Sequence, residues 1–404
     1  MTAADYSSLF ALSASELLTR AQQLGLELPP HQERGELLAA LLQQGLDAGM
    51  NMFVEGIFEP LPEGFGFLRS LHHDLGATPA DAYVSPSQVR GLNLKAGHRL
   101  GGPIRAPRGT ERFFALAHVD SCNGAPPTAA HQRLSFGALQ AIVPGMPLVP
   151  TGDTDELRLL RTLAPWRAGH RVLIDAPTSA QSAPLLGRLA NALHGAANAR
   201  VMVLLVAQRP ELIAALRTQV AAAMTIEVIA TTFDQPPARH VATASLALAA
   251  AQRAVEAGEQ VTLLVDGLTA LVRATQLDQP ASGRWLCPGL DAHALFGAKQ
   301  LFAAARAVAE GGTLSVFASV QREVGSAVDA AIATELRAFA NSVLVVDATK
   351  VDAGEALPFD FLACRTRPED DVRDAVTKAA AQTLRVQLTG ANATGRAALL
   401  AALR

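Results

Sequence analysis

Apolar positions along the chain change their period twice. Between residues 13 and 46 they recur at helical spacing. Leu17, Leu18, Ala21 and Leu24 follow Ser13-Ala-Ser-Glu16, a hydroxyl with a glutamate three residues on, which is the spacing of a capping box. Pro29-Pro30 interrupts this pattern, and a second helix is predicted from about Gln32 to Leu46, with Leu37, Leu38, Leu41 and Leu42 on one stripe. Residues 1–50 therefore read as a helical bundle. From 51 to 120 the pattern shortens to strands at 53–58, 66–69, 82–84, 98–104 and 113–119, separated by Gly, Pro and Asn. Short strands this closely spaced predict a small β-barrel of the oligonucleotide-binding, cold-shock-like kind. Residues 121–150 are turn-rich (Asn123-Gly-Ala-Pro-Pro127, Pro144-Gly-Met-Pro147) and read as a linker. In residues 151–404, apolar strands at 171–175, 200–207, 225–230, 260–265, 313–318 and 342–346 alternate with Ala/Leu-rich helices. That alternation predicts a parallel α/β sheet, followed from about 370 by a helical extension.

Composition narrows the function classes. With 404 residues, 50% hydrophobic and 18% charged, the chain is too apolar for disorder and too long for one small module. The net charge of −3, from 34 basic and 37 acidic side chains, excludes a global polycation, so nucleic-acid binding must come from a local patch. Cys122, Cys287 and Cys364 lie far apart with no C-x-x-C, which argues against a zinc ribbon or a disulfide scaffold. The start MTAADYSSLF has no basic stretch before an apolar run, and no 18 consecutive apolar residues occur. A cytoplasmic protein with no membrane span and no resident metal is expected.

The barrel segment carries such a patch. Arg90, Lys95, Arg99, Arg105, Arg108 and Arg112 face a single acid, Glu111, between residues 84 and 112. In Glu63-Gly-Phe-Gly-Phe-Leu-Arg69 the strand period places Phe65, Phe67 and Arg69 on one face. Single-stranded nucleic acid takes this combination, rings to stack bases and cations for phosphates. Two phenylalanines at this spacing also serve as the core of a small barrel. The flanking glycines, and the gathering of Phe65, Phe67 and Tyr83 here in a chain with 15 Phe, 2 Tyr and 2 Trp, favour a binding face.

The order of modules and several strings resemble the bacterial transcription termination factor Rho family, hexameric RNA-dependent ATPases and translocases. The strings are EGFGFLRS (63–70), DAYVSPSQVR (81–90), ERFFAL (111–116), TTFDQPPARHV (231–241), PASGR (280–284), GLDAHAL (289–295) and AARAVAEGGTLSV (304–316), collinear over roughly residues 10–370. The resemblance implies a RecA-like, ATPase-type domain for residues 151–404. It also implies a primary RNA site of Phe65, Phe67, Arg69, Asp81 and Tyr83, with Glu111 and Arg112 close by and a preference for pyrimidines.

At the ATPase centre this chain departs from the family pattern. Where the family reads A-P-x-x-A-G-K-T, residues 176–183 read Ala-Pro-Thr-Ser-Ala-Gln-Ser-Ala. Gln181 replaces the glycine that lets backbone amides approach phosphate, Ser182 the lysine and Ala183 the metal-binding hydroxyl; a one-residue shift of register would make Ser182 the hydroxyl, with Gln181 still supplying no cation. No lysine lies between Lys95 and Lys299. Gln208, in Val206-Ala-Gln-Arg-Pro210, replaces the acid that serves as general base, a group typically worth about 10²–10⁴ in rate. The pore-loop G-S-K becomes Gly325-Ser326-Ala327. Asp266 is retained in the Walker-B position, although an aspartate after an apolar strand also serves simply to end it. Arg209 and Arg367 match arginines that the family sends to a neighbouring subunit's nucleotide; Arg367 reads equally as an exposed arginine in a charged stretch. Arg284 keeps one cation in the other pore loop. ATP and Mg²⁺ binding is therefore expected to be weak or absent. One reading is a Rho-like RNA-binding protein deficient in ATP hydrolysis. It would modulate, and more specifically inhibit, Rho-dependent termination through mixed rings with Rho, rings of its own copies, or competition for RNA. The other is an active, divergent RNA-dependent ATPase/helicase acting as a termination factor.

Overall fold

The computed structural model describes residues 8–26, 29, 31–130, 133–152, 154–177, 179–196, 199–223, 225–322, 326–353, 358–367 and 373–390. It divides into two compact units, Met1–Phe136 with Leu246–Ala257, and Gly137–Ser245 with Gly258–Arg404. Among the described residues no helix is long and apolar enough to cross a membrane.

The first unit begins with the two expected helices. Ser13 caps Ala14–Gln23, and its capping box with Glu16 is complete. Arg34–Asp47 follows, burying Leu37, Leu38, Leu41 and Leu42 on the predicted stripe. The strands β1 (Met52–Pro60), β2 (Gly66–Arg69), β3 (Ala82–Val84), β4 (Arg99–Arg105), β5 (Phe114–Leu116) and β6 (Ser121–Cys122) form a sheet in the order β1-β2-β3-β5-β4-β6. A second pairing, β1 with β4, closes five of them into an oligonucleotide-binding-type barrel. Leu17 and Leu41 of the helices share a core with Phe58, Leu68 and Leu100 of the barrel. Burial of such side chains stabilises by about 1.5–3 kcal/mol each. The string Val84-Ser-Pro-Ser-Gln88 forms a further capping box: Ser85 caps Pro86–Gly91, and Gln88 Nε2 donates to the Leu116 carbonyl, tying this helix to β5.

The second unit is built on β7 (Ala141–Ile142), β8 (Arg171–Ala176), β9 (Arg200–Gln208), β10 (Glu227–Thr232), β11 (Gln260–Asp266), β14 (Arg306–Val308), β15 (Thr313–Gln321), β16 (Ser342–Val345) and β17 (Arg365–Thr366), with β12 (Trp285–Cys287) and β13 (Leu290–Asp291) as a separate hairpin. The main order is β10-β9-β11-β15-β8-β16-β17, parallel throughout except for β17. Strands buried on both faces need near-continuous apolar sequence, and Val201–Val206 and Val261–Val265 supply it. This is the RecA-like α/β architecture. Its consequence for chemistry is geometric: β9, β11, β15 and β8 are consecutive neighbours, so their C-terminal ends lie in a row, where ligands bind in open α/β sheets.

The segment 121–150, expected as a linker, instead contributes strands to both units. β6 pairs with β4 in the barrel and β7 pairs with β14 in the large sheet. Two-residue strands carry no periodicity, which is why the turn residues around them dominate the sequence pattern.

Candidate functional site

On the barrel, four rings cluster. Phe65 lies 5.2 Å from Tyr83 and 6.0 Å from Phe67, centroid to centroid, and Phe67 lies 4.9 Å from Phe113. The register explains the grouping, because Phe67 pairs across strands with Tyr83 and with Glu59. Their exposures differ. Phe67 is 7% exposed and forms the floor; Phe65 and Tyr83 are half-buried, and Phe113 is 43% exposed. Of the two rings expected on one face, Phe67 is the covered one and supports the rings around it, and Phe113, within the string ERFFAL, is an exposed ring that sequence reasoning passed over.

Arg69 is held in place from two sides. Its guanidinium donates to Glu59 and to Asp81, both at 2.5 Å, and sits 5.2 Å from the Phe67 ring centre in a cation–π arrangement. Asp81 is 3% exposed and also accepts from the Thr78 amide and hydroxyl; burial pushes its carboxyl above the usual range, against the pull of Thr78 and Arg69. Asp81 therefore orients Arg69 from beneath the surface. Glu111 lies in a bidentate pair with Arg105, which together with the Arg108 amide holds its carboxyl down at about 2. Arg112 beside it is exposed. The result is a partly open aromatic cluster with a fixed cation at its edge.

In the second unit the C-terminal row of strands converges on Asp266. This residue ends β11 and is fully buried. Ser182 Oγ and Ser319 Oγ each donate to its Oδ1 at 2.5 Å, and Gln208 Nε2 donates to its Oδ2 at 2.8 Å. Ser182 lies in the first turn of the helix Ser179–His194, Gln208 ends β9, and Ser319 lies near the end of β15. Both carboxylate oxygens are thus engaged by protein donors. Burial still raises the Asp266 carboxyl to about 6, with Ser182 and Ser319 opposing the shift. Backbone geometry delivers these groups. Ala207 adopts a left-handed φ of 52° with its amide bonded to Thr231 Oγ1, turning Gln208 inward. Gly267 has φ 103°, and a Cβ there would come within 2.9 Å of the Val206 carbonyl, so glycine is required after Asp266. Ser319 in turn accepts from the Gly267 amide.

The remaining sequence-selected residues are placed as follows. Ala183 is fully buried, and the side chain of Gln181 lies outside the described residues. Arg209 is exposed and N-caps the helix Pro210–Val220. Arg367 turns back onto its own unit, donating to the Arg337 and Ala338 carbonyls. Arg284 is exposed at the start of the β12–β13 hairpin. Gly325 lies outside the described residues, whereas Ser326 caps the helix Ala327–Arg337. Two residues that the sequence did not single out complete the neighbourhood. Ser319 is one. The other is Asp175, 1% exposed at the end of β8, which pairs with Arg337 and, at 3.3 Å, with Arg322.

Comparison with known proteins agrees with this geometry. The family described as Rho termination factor, RNA-binding domain, matches residues 54–128, the barrel with its aromatic cluster. The chain is 37% identical over 356 residues to transcription termination factor Rho of Haemophilus influenzae, covering 86% of this chain and 84% of that one. It is 35% identical over 390 residues to Rho of Rhodopirellula baltica, covering 96% and 76%. Among solved structures, an ATPase from the type III secretion system of pathogenic bacteria aligns with TM-score 0.54 at 21% identity over 62% of this chain and 72% of that one. An ATP synthase subunit from Nanoarcheaum equitans aligns with TM-score 0.52 at 14% identity over 62% of each chain. The structural neighbours share an ATPase-type fold with 62% of this chain, and the sequence relatives, extending over nearly the whole length, establish that the chain belongs to the transcription termination factor Rho family.

Proposed function

We propose that this protein is a Rho-family RNA-binding protein that does not hydrolyse ATP and that inhibits Rho-dependent transcription termination. The observation that carries the reading is the closed hydrogen-bond set on Asp266. Its donors include Ser182 and Gln208, the residues standing where the family has its phosphate lysine and its general base. The residues present do not fit Mg²⁺ with ATP. A metal would have to displace protein donors from a buried carboxylate, and no lysine is available to the phosphates. The carboxylate of Asp175 at the base of the same loop adds negative charge, balanced by Arg322 and Arg337. RNA binding rests on Phe65, Tyr83, Phe113 and the anchored Arg69, with pyrimidines favoured as in the family.

In ring ATPases of this kind each site is made by two subunits, one holding the phosphates and the next supplying arginines. Arg209, exposed beside Gln208, remains a candidate for the second role. A subunit with that half and without the other would complete a neighbour's site and contribute a dead one. The test mixes this protein with Rho at substoichiometric ratio on saturating pyrimidine-rich RNA and follows ATP hydrolysis and termination. The protein alone is expected to show no RNA-stimulated turnover, and the mixture is expected to fall below simple dilution, with mixed rings seen by native mass spectrometry. Dilution-only loss without mixed rings would refute the mixed-ring mechanism and leave competition for RNA. Robust turnover by the protein alone, abolished by Asp266→Ala, would refute the proposal and establish an active RNA-dependent ATPase/helicase.

A further inference from the structure

Arg69 ends β2 and Asp81 immediately precedes β3, so their ion pair closes the base of the loop between the two strands. Arg69 gives Nε to Glu59 and Nη1 to Asp81, which leaves Nη2 as the guanidinium nitrogen for RNA. Asp81 is itself held by Thr78. The Thr78 amide donates to Oδ2 at 2.8 Å, its hydroxyl donates to Oδ1 at 3.1 Å, and its carbonyl accepts from the Asp81 amide. Among the described residues the Thr78 hydroxyl is the only donor to Oδ1. Without it, a carboxylate on a residue 3% exposed would have one oxygen unmatched.

Thr78 is braced in turn by the N-terminal helices. Gly35 lies in the first turn of the helix Arg34–Asp47, and a Cβ there would stand 3.0 Å from Thr78 Cβ and 3.4 Å from Pro79 Cδ. Both distances fall inside the optimal carbon–carbon separation of about 3.5–4.0 Å. The φ of Gly35 is not left-handed, and glycine inside a helix is less favourable than alanine, so the closeness of Thr78 is what the missing side chain answers to. Arg34 beside it donates from Nε to the Leu12 carbonyl at 2.9 Å and from Nη1 to the His72 carbonyl at 3.2 Å. His72 and Thr78 belong to the same β2–β3 loop, so the start of one helix touches that loop at two points.

We propose that Thr78 and Gly35 are positioning residues for RNA binding: the helix seats Thr78, Thr78 holds Asp81, and Asp81 aims Arg69 at the aromatic cluster. The inference rests on the RNA-binding reading of the barrel and is independent of whether ATP is hydrolysed. It gives the N-terminal helices a part in recognition, although the clustered rings all come from the barrel.

The test titrates a fluorescent oligocytidylate with the whole chain and its variants, following anisotropy. Thr78→Val keeps the shape and removes the hydroxyl, and is expected to weaken binding about three- to tenfold, whereas Thr78→Ser should bind as the parent does. In an Arg69→Gln background, itself weaker than the parent, Thr78→Val should cost nothing further, because a positioning residue acts only through the group it positions. A Thr78 that merely stabilised the barrel would lower affinity by the same factor in both backgrounds. Gly35→Ala supplies a second variant. Alanine favours the helix, so the melting temperature should hold or rise while affinity falls, again only where Arg69 is present. Equal losses with and without Arg69, or undiminished binding by Thr78→Val or by Arg69→Gln, would overturn the proposal. Phe65→Ala separates this failure from that of the underlying reading. If it loses affinity while Thr78→Val does not, the positioning role alone is wrong; a parent that binds no oligocytidylate removes the RNA reading and the proposal with it.

Discussion

Replacing Gln208 with glutamate puts back an acid where the Rho pattern has one, and it is expected to cost stability without returning activity. Gln208 is 2% exposed, and its amide donates at 2.8 Å to an Asp266 carboxylate that is fully buried. The other oxygen of Asp266 already accepts from two hydroxyls. Glutamate has the same length but brings an oxygen where the donor stood. Two carboxylate charges about 4 Å apart repel by about 4 kcal/mol at an effective dielectric near 20. The pair escapes part of this by sharing one proton, as close carboxylates do, so the cost is small in acid and grows with pH. At pH 8 the variant should lose about 2–4 kcal/mol against the parent, and at pH 5 less than about 1 kcal/mol. Gln208→Met, which removes the donor without adding charge, should cost about 1–3 kcal/mol at both pH values and so separates the lost bond from the repulsion. Urea unfolding followed by the emission of buried Trp166 measures all three proteins. A glutamate variant as stable as the parent at pH 8 would mean that the Gln208–Asp266 bond contributes nothing. RNA-stimulated hydrolysis by that variant would mean that the nucleotide centre needs only its base.

Other expectations follow from the same geometry. Phe65→Ala and Phe113→Ala should each weaken oligopyrimidine binding in a salt-dependent manner, by about 1–3 kcal/mol per stacked base, in filter-binding or anisotropy titrations. Phe67→Ala, removing a ring that is 7% exposed, should instead lower the melting temperature, at a cost of about 3–5 kcal/mol; unchanged stability would place that ring outside the core. Asp266, raised to about 6 in the folded chain from 3.8, binds its proton more tightly folded than unfolded. Its contribution to stability is therefore present below about pH 4 and is lost as pH rises through 6, by up to about 1.4 kcal/mol per pH unit. Asp266→Asn should flatten that part of the stability–pH curve, and an unchanged slope would contradict the burial argument. Calorimetry with Mg²⁺ and ATP should give no low-micromolar binding; a clear isotherm in that range would require a phosphate site that the Asp266 hydrogen bonds leave room for.

The local elements were legible because each rests on a signal carried within a few residues. The Ser13–Glu16 capping box, the leucine stripe of Arg34–Asp47, the short strands around Phe65 and Tyr83, and the doubly buried runs ending at Gln208 and Asp266 all follow from periodicity and punctuation. The residue types at 181–183 and 208 could also be read directly, since they stand within strings that resemble the family's. What became of those residues could not be read. Ser182, Gln208, Asp266 and Ser319 are brought together only by the strand order β9-β11-β15-β8, and that order is fixed by burial of both sheet faces, to which no local period corresponds. The same reason separates Phe67 from Phe65. Their spacing puts them on one side of the chain, but cross-strand packing against Tyr83 and Phe113 decides which ring is covered. Arg367, equally compatible with an exposed role in sequence, is turned inward by carbonyls contributed from about thirty residues away. Sequence determined which groups this protein possesses; tertiary structure decided that Ser182, Gln208 and Ser319 would close upon Asp266, because a buried carboxylate must be supplied with donors from whatever elements lie beside it.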